Sequence, residues 1–151
     1  MVTNLKQAKK SDVSTIIQFL KEMNDETKEF NFDKKLFTQS VTNSFDENVH
    51  WFLFMDERKT PFDLCYLQSV HNYWRLEKRF YLGGFYITSS HRKKGYFKTL
   101  NQQLKDWAND NHGVQIYVHI NEHNQHSIDT FTAAGFKKIE YDLFVNHWGE
   151  D

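Results

Sequence analysis

Apolar residues recur at Val13, Ile16, Ile17, Leu20 and Met23, the spacing of a helix with one face turned to a core. Ser11-Asp12 just ahead supplies a capping oxygen and an acid for the first turn. Before it, Thr3–Ala8 reads as a short, partly polar strand. Asn24–Asp33 is polar and charged, a solvated helix end and loop, and Lys34–Asn43 predicts a second helix with Leu36, Phe37 and Val41 inward. The period then changes. His50–Met55 is an aromatic, apolar run too short for a buried helix, and Asp56–Phe62, with the only proline, reads as a turn. Leu64–Val70 and Arg79–Thr88 complete an antiparallel meander of three strands. Gly83-Gly84 inside the last of these weakens a ladder, which points to a bulge or to a place where another backbone or a ligand approaches closely.

Helical spacing returns at Phe97, Leu100, Leu104, Trp107 and Ala108, ending before Gly113. Val114, Ile116, Val118 and Ile120 alternate with Gln115, Tyr117 and His119, as in a strand with two unlike faces. Asn124–Ala134 predicts a further helix closed by Gly135, and Lys138–Asn146 a last strand or hairpin. The expected order is β-α-α-β-β-β-α-β-α-β in a single domain, residues 1–151, with no repeat or linker.

Composition narrows this little. The chain has 151 residues, enough for one buried core, and its net charge of −1 offers no global field for nucleic acid. No apolar run approaches the roughly 20 residues that span a bilayer. The polar stretch Met1–Lys10 shows no signal peptide, and the single Cys65 suits a reducing compartment, so a cytoplasmic location is expected. Aromatic residues make up 17%, so bulky rings must fill the core and some line a cleft. Trp51, Trp74, Trp107 and Trp148 are read as packing, with Tyr73-Trp74 a candidate pocket wall.

Chemistry concentrates after the third meander strand. Phe85-Tyr-Ile-Thr-Ser-Ser-His-Arg-Lys-Lys-Gly-Tyr-Phe97 ends a strand, makes a short basic turn and opens a long helix at the glycine. The first amides of a helix lack partners and carry a partial positive charge. With Arg92, Lys93, Lys94 and Lys98 around them they suit a polyanion such as a pyrophosphate. Gly95, without a Cβ, lets the backbone approach phosphate oxygens. One helix and one strand lie between Arg92 and Asn124, the size of a parallel crossover, and ligands bind outside the carboxyl ends of such strands.

In these features the chain resembles the GNAT superfamily of N-acetyltransferases. That family runs strand, R/Q-x-x-G-x-G/A, long helix, strand, Asn, short helix, Gly-Phe; here the positions are Arg92-Lys-Lys-Gly95-Tyr-Phe97, Leu100, Leu104, VQIYVHI, Asn124, Ser127-Ile128, Phe131 and Gly135-Phe136. The resemblance implies an α/β (α+β) fold with a mixed central sheet: an antiparallel N-terminal meander and a splayed parallel pair, flanked by about four helices. It implies acetyl-CoA as cofactor and a primary amine as acceptor. By position, amides over Arg92, Lys93, Lys94, Gly95, Tyr96 and Phe97 would hold the pyrophosphate. The backbones of Ile87 and Thr88 would pair with the pantetheine arm, and Asn124 would bond the cofactor. Glu26 and Glu29, near the end of the first helix, would favour a cationic acceptor; Glu22 lies close by.

Three positions depart from the family's pattern. Phe97 stands where the family has Gly or Ala, Phe131 where a tyrosine often protonates the leaving thiolate, and Gly83 where many members carry a general base. Substitutes at hand are Tyr81 and Tyr86 on the glycine-bearing strand and His119 on its partner; Tyr81 and His119 are the expected catalytic candidates. An alternative is a CoA-binding module with little turnover, acting as a sensor or partner protein. No metal is expected: His119, His123 and His126 mimic ligand spacing but fall on different elements. No nucleic-acid or membrane partner is expected, and the chain is read as a monomer or homodimer.

Overall fold

The aromatic, apolar run around Phe52 forms the second of five strands in the computed structural model, which describes residues 4–28, 30–87 and 89–149. The strands are β1 (Asn4–Gln7), β2 (Val49–Met55), β3 (Pro61–Asn72), β4 (Glu77–Ile87) and β5 (Gly113–Tyr117), hydrogen-bonded in that order. The pairs from β1 to β4 are antiparallel, and β4–β5 is parallel. Four helices accompany them: α1 (Val13–Thr27), α2 (Lys34–Ser44), α3 (Tyr96–Asp110) and α4 (Gln125–Ala133). The mixed sheet with its meander, parallel pair and four helices is the expected architecture.

The backbone groups into two units, residues 1–119 and 120–151. In the first, the period-2 pattern divides the rings between two layers. Trp51, Leu53, Leu64 and Tyr86 pack with Val13, Ile16, Ile17 and Leu20 of α1 and Val41 of α2. Their strand neighbours Phe52 and Phe80 instead meet Trp107 of α3, with centroids at 4.9 and 5.4 Å. Leu100 and Leu104 are buried on the same helix. Three irregularities break the ladders, one of them in β5, where Val114 is extra between the pairs Lys78↔Gly113 and Arg79↔Gln115. Phe62 is extra to the β2 register, and Gly84-Phe85 oppose the single residue Cys65 between the pairs Leu64↔Tyr86 and Tyr66↔Gly83. Gly84 sits at φ 60°, which a residue without a Cβ adopts at little cost.

Several expectations change. β3 begins at Pro61, inside the segment read as a turn; Phe62 is fully buried there, and the turn shrinks to the residues around Asp56–Thr60. α1 ends at Thr27, with Lys28 in the left-handed conformation at its C-terminus and Asn24 buried, its Oδ1 accepting from the Phe30 amide. Tyr73 and Trp74 stand in solvent on the β3–β4 turn, Trp74 at 99% exposure, so they wall nothing; Trp148 is exposed too, whereas Trp51 and Trp107 pack.

In the second unit Asn124 caps α4, its Oδ1 accepting from the Ser127 amide at 3.1 Å. Phe131 is buried and meets Phe136 edge-on at 5.1 Å. Residues 138–146, expected as a strand or hairpin, join no ladder among the described residues, and Tyr141, Leu143 and Phe144 are exposed.

Candidate active site

The parallel pair opens where the pattern places the ligand. β4 and β5 pair from Lys78↔Gly113 to Tyr81↔Tyr117, with a one-residue shift after Lys78, but β4 continues to Ile87 while β5 stops at Tyr117. Among the described residues the ladder between them ends at Tyr81↔Tyr117, so a ligand pairing with β4 would enter beyond that pair.

At the end of β4 the chain turns through a 3-10 turn (Ser89–His91) into α3. Lys93 at φ 59° and Gly95 at φ 73° both lie in the left-handed region. Gly95 is the N-cap and has no side chain to bond the helix amides, which leaves the first turn of α3 for an outside acceptor. A Cβ on Gly95 would meet nothing within 4 Å, so the space above it is open. Arg92, Lys93 and Lys94 are exposed around it. Tyr96 begins the helix and packs its ring at 4.7 Å from Phe62, while Phe97 meets Phe85 edge-on at 5.3 Å. The bulky Phe97 is thus taken up by the strand beneath it.

The turn is anchored from behind. His91 stacks on Phe62 at 4.8 Å, its Nε2 lies 3.2 Å from Asp56 Oδ2, and its Nδ1 lies 2.9 Å from Ser90 Oγ. The Thr60 amide above all, with His91 and the Arg58 amide, holds the Asp56 carboxyl below its ordinary range. A cleft of about 590 Å³ borders this turn, lined by Ser14, Gln18 and Glu22 of α1 together with Thr60, Pro61 and His91.

Glu26 is not free. Its Oε1 accepts from the Tyr86 hydroxyl at 2.9 Å and its Oε2 from Arg92 Nη2 at 2.6 Å, while Arg92 Nε donates to the Ile87 carbonyl at 2.8 Å. Arg92 first, then Tyr86, holds the Glu26 carboxyl below its usual value. Burial, then Glu26, pushes the Tyr86 phenol up to about 12. An acceptor amine meeting Glu26 would compete with Arg92. Glu29 and Thr88, the other expected contacts there, lie outside the described residues.

The two catalytic candidates come together. The rings of Tyr81 and His119 are 5.1 Å apart, with Tyr117 5.5 Å from Tyr81 and Tyr66 6.2 Å from it on the other side. Tyr66 and Asp63 were not singled out by sequence. A signal for the first existed in Gly83-Gly84: the close approach there is made by the Tyr66 ring. Asp63 carried no signal, yet it is fully buried on β3 opposite Ile87, and neither carboxylate oxygen has a hydrogen-bond partner among the described residues. Burial pushes its carboxyl well above the ordinary range, against the opposing pull of the Leu64 and Tyr86 amides. No three His, Cys, Asp or Glu side chains gather as metal ligands among the described residues, nor is any helix there long and apolar enough to cross a membrane.

The family model described as Acetyltransferase (GNAT) family matches residues 17–136, from α1 through the turn to the end of α4. The chain belongs to the GNAT acetyltransferase family. The family works with acetyl-CoA on amines, and this member is an acetyl-CoA-dependent acetyltransferase in that coarse sense. No curated protein matches the GNAT chain in sequence. Solved structures match its fold throughout. A possible acetyltransferase from Clostridium difficile superposes with a TM-score of 0.86 at 16% identity, covering 99% of this chain and 100% of that one. A predicted acetyltransferase from Clostridium acetobutylicum, solved with acetyl-CoA, gives 0.76 at 16% identity and 96% coverage of both chains. An aminoglycoside acetyltransferase from an uncultured soil metagenomic sample, in complex with sisomicin, gives 0.81 at 12% identity, covering 98% of this chain and 97% of that one.

Proposed function

We propose that the protein binds acetyl-CoA along the C-terminal end of β4 and transfers its acetyl group directly to a primary amine: a small amine, an amino acid or a peptide amine. One observation carries this reading. Past the last β4–β5 pair among the described residues, Tyr81↔Tyr117, β4 runs on to Ile87 and leads into a left-handed turn and a helix start with no side-chain cap, ringed by Arg92, Lys93 and Lys94. Amides from Arg92 to Phe97 hold the diphosphate, and the backbones of Ile87 and Thr88 pair with the pantetheine arm. Asn124 keeps its Nδ2 as a donor to the cofactor while its Oδ1 caps α4.

The transfer needs a neutral amine near the thioester and a route for its proton. His119 takes that proton, with Tyr81 beside it. Glu26 and Glu29 draw a cationic acceptor toward the site. A cytoplasmic location, with no membrane or nucleic-acid partner, fits this chemistry. Calorimetric titration with acetyl-CoA and thiol release across a panel of amines, including a diamine, an amino acid, a peptide and an aminoglycoside, test the reading. Saturable binding with release for at least one amine is expected. Binding without release for any amine would move the protein to cofactor sensing, a role favoured by the hydroxyl-free ring of Phe131; no binding would remove both.

A further inference from the structure

We infer that Tyr66 is a catalytic residue of this chain, placing its hydroxyl over Gly83 to protonate the departing thiolate. The inference rests on the acetyl-transfer reading above, and its geometry comes from β3 and β4.

A Cβ built on Gly83 would lie 2.3 Å from Cζ of Tyr66 and 2.4 Å from its hydroxyl oxygen. The end of the phenol therefore fills the volume that a side chain at 83 would take. On Gly84 a Cβ would stand 3.1 Å from Cδ1 of the same ring. One tyrosine uses both glycines, and the Gly84-Phe85 bulge sets the register that pairs it with Gly83. Trp51 supports the ring from β2 at 5.0 Å. Packing explains the ring but leaves the hydroxyl without a purpose, since no hydrogen bond to it forms among the described residues.

Position supplies the purpose. The gap beside β4 closes at the pair Tyr81↔Tyr117, and Gly83 lies two residues inside the open part. A pantetheine arm entering at the basic turn and following β4 from Ile87 to Gly83 travels about 13 Å at a strand's rise per residue. Its thioester then lies near the closed end, where the hydroxyl of Tyr66 waits. Burial, and the neighbouring Tyr81, push the phenol above its ordinary value, so it holds its proton at neutral pH and serves as donor.

The step balances without another reactant. The amine nitrogen forms a bond to the acetyl carbon, and the carbon–sulfur bond breaks with its electron pair going to sulfur. The proton of Tyr66 passes to that sulfur, giving the free thiol. The nitrogen's surplus proton leaves through His119, and the phenolate regains a proton from solvent. A proton donor of this kind contributes typically 10²–10⁴-fold.

Tyr66→Phe keeps the ring over both glycines and deletes only the donor. With the best amine of the panel, kcat is expected to fall about 100-fold. The KM for acetyl-CoA should stay within about twofold, and the alkaline limb of the kcat profile should vanish or move. Thermal unfolding shows whether the variant folds, and Tyr66→His, which restores a proton-bearing group, is expected to recover part of the rate. Phenylalanine with a kcat within about threefold of wild type and an unchanged pH profile overturns the inference and leaves acetyl transfer standing. Wild-type protein that releases no thiol with any amine overturns acetyl transfer and this inference together.

Discussion

Arg92 reaches across from the turn after β4 to Glu26 near the end of α1, closing a 2.6 Å ion pair. The same guanidinium occupies the carbonyl of Ile87 at 2.8 Å, a group the pantetheine arm would use. On the proposed reading, cofactor entry would begin with an exchange of partners at Arg92. Glu26→Gln weakens the tether and is expected to tighten acetyl-CoA binding about two- to fivefold, whereas Arg92→Ala should weaken it about tenfold through loss of a charged donor. Isothermal titration separates these; a Glu26→Gln protein weakened as much as Arg92→Ala would show that the carboxylate assists the cofactor. The pH dependence has a definite sign. Glu26 is held below its ordinary value near 4.5, so its contribution to stability is present above that value and is lost as pH falls through the folded one. The melting-temperature difference between wild type and Glu26→Gln should narrow as pH falls below 4.5.

Asp63 runs the other way. Its carboxyl keeps a proton in the folded protein that the unfolded chain has released above about 3.8. Wild-type stability therefore declines as pH rises from that value towards the raised folded one. Asp63→Asn removes that slope. Melting curves between pH 4 and 8 should show the variant gaining on wild type as pH rises; parallel curves would place the proton elsewhere.

Gly83→Ala brings a methyl to 2.3 Å from the Tyr66 ring, which must rotate away. Overpacking of this sort costs about 1–3 kcal/mol. Adding Tyr66→Ala should make Gly83→Ala nearly harmless, so denaturant unfolding of the four proteins in the cycle should give a coupling of comparable size. Additive losses would mean that the two positions do not meet.

At Gly95 the obstacle is conformation rather than space. With φ at 73° and nothing within 4 Å of a built Cβ, Gly95→Ala should destabilise by roughly 1–2 kcal/mol through left-handed strain alone. If the diphosphate lies above this residue, acetyl-CoA affinity should fall about tenfold or more, beyond what the loss of stability produces. Calorimetry and melting on one preparation tell the two effects apart.

The order of elements was legible because it is written locally: a period of 3.6 along α1 and α3, a period of 2 along β5, and along β2 an apolar run too short for a buried helix. The turn from Arg92 to Gly95 was legible for the same reason, being contiguous in the chain. Pro61 misled, because a proline suits a strand's first residue as readily as a turn. Contacts such as Tyr66 on Gly83 and Asp63 opposite Ile87 depend on register, and each bulge shifts register by a residue that no pattern announces.

The shared volume of Tyr66 and Gly83 also constrains how this protein can change. A carboxylate cannot be introduced at 83 in one step, because any side chain there collides with the phenol, and shrinking Tyr66 first opens a hole above two glycines. The two sites must drift as a pair. Homologues of this chain should carry either a large ring on the third strand with glycine opposite, or a small residue facing a side chain, and rarely a mixture.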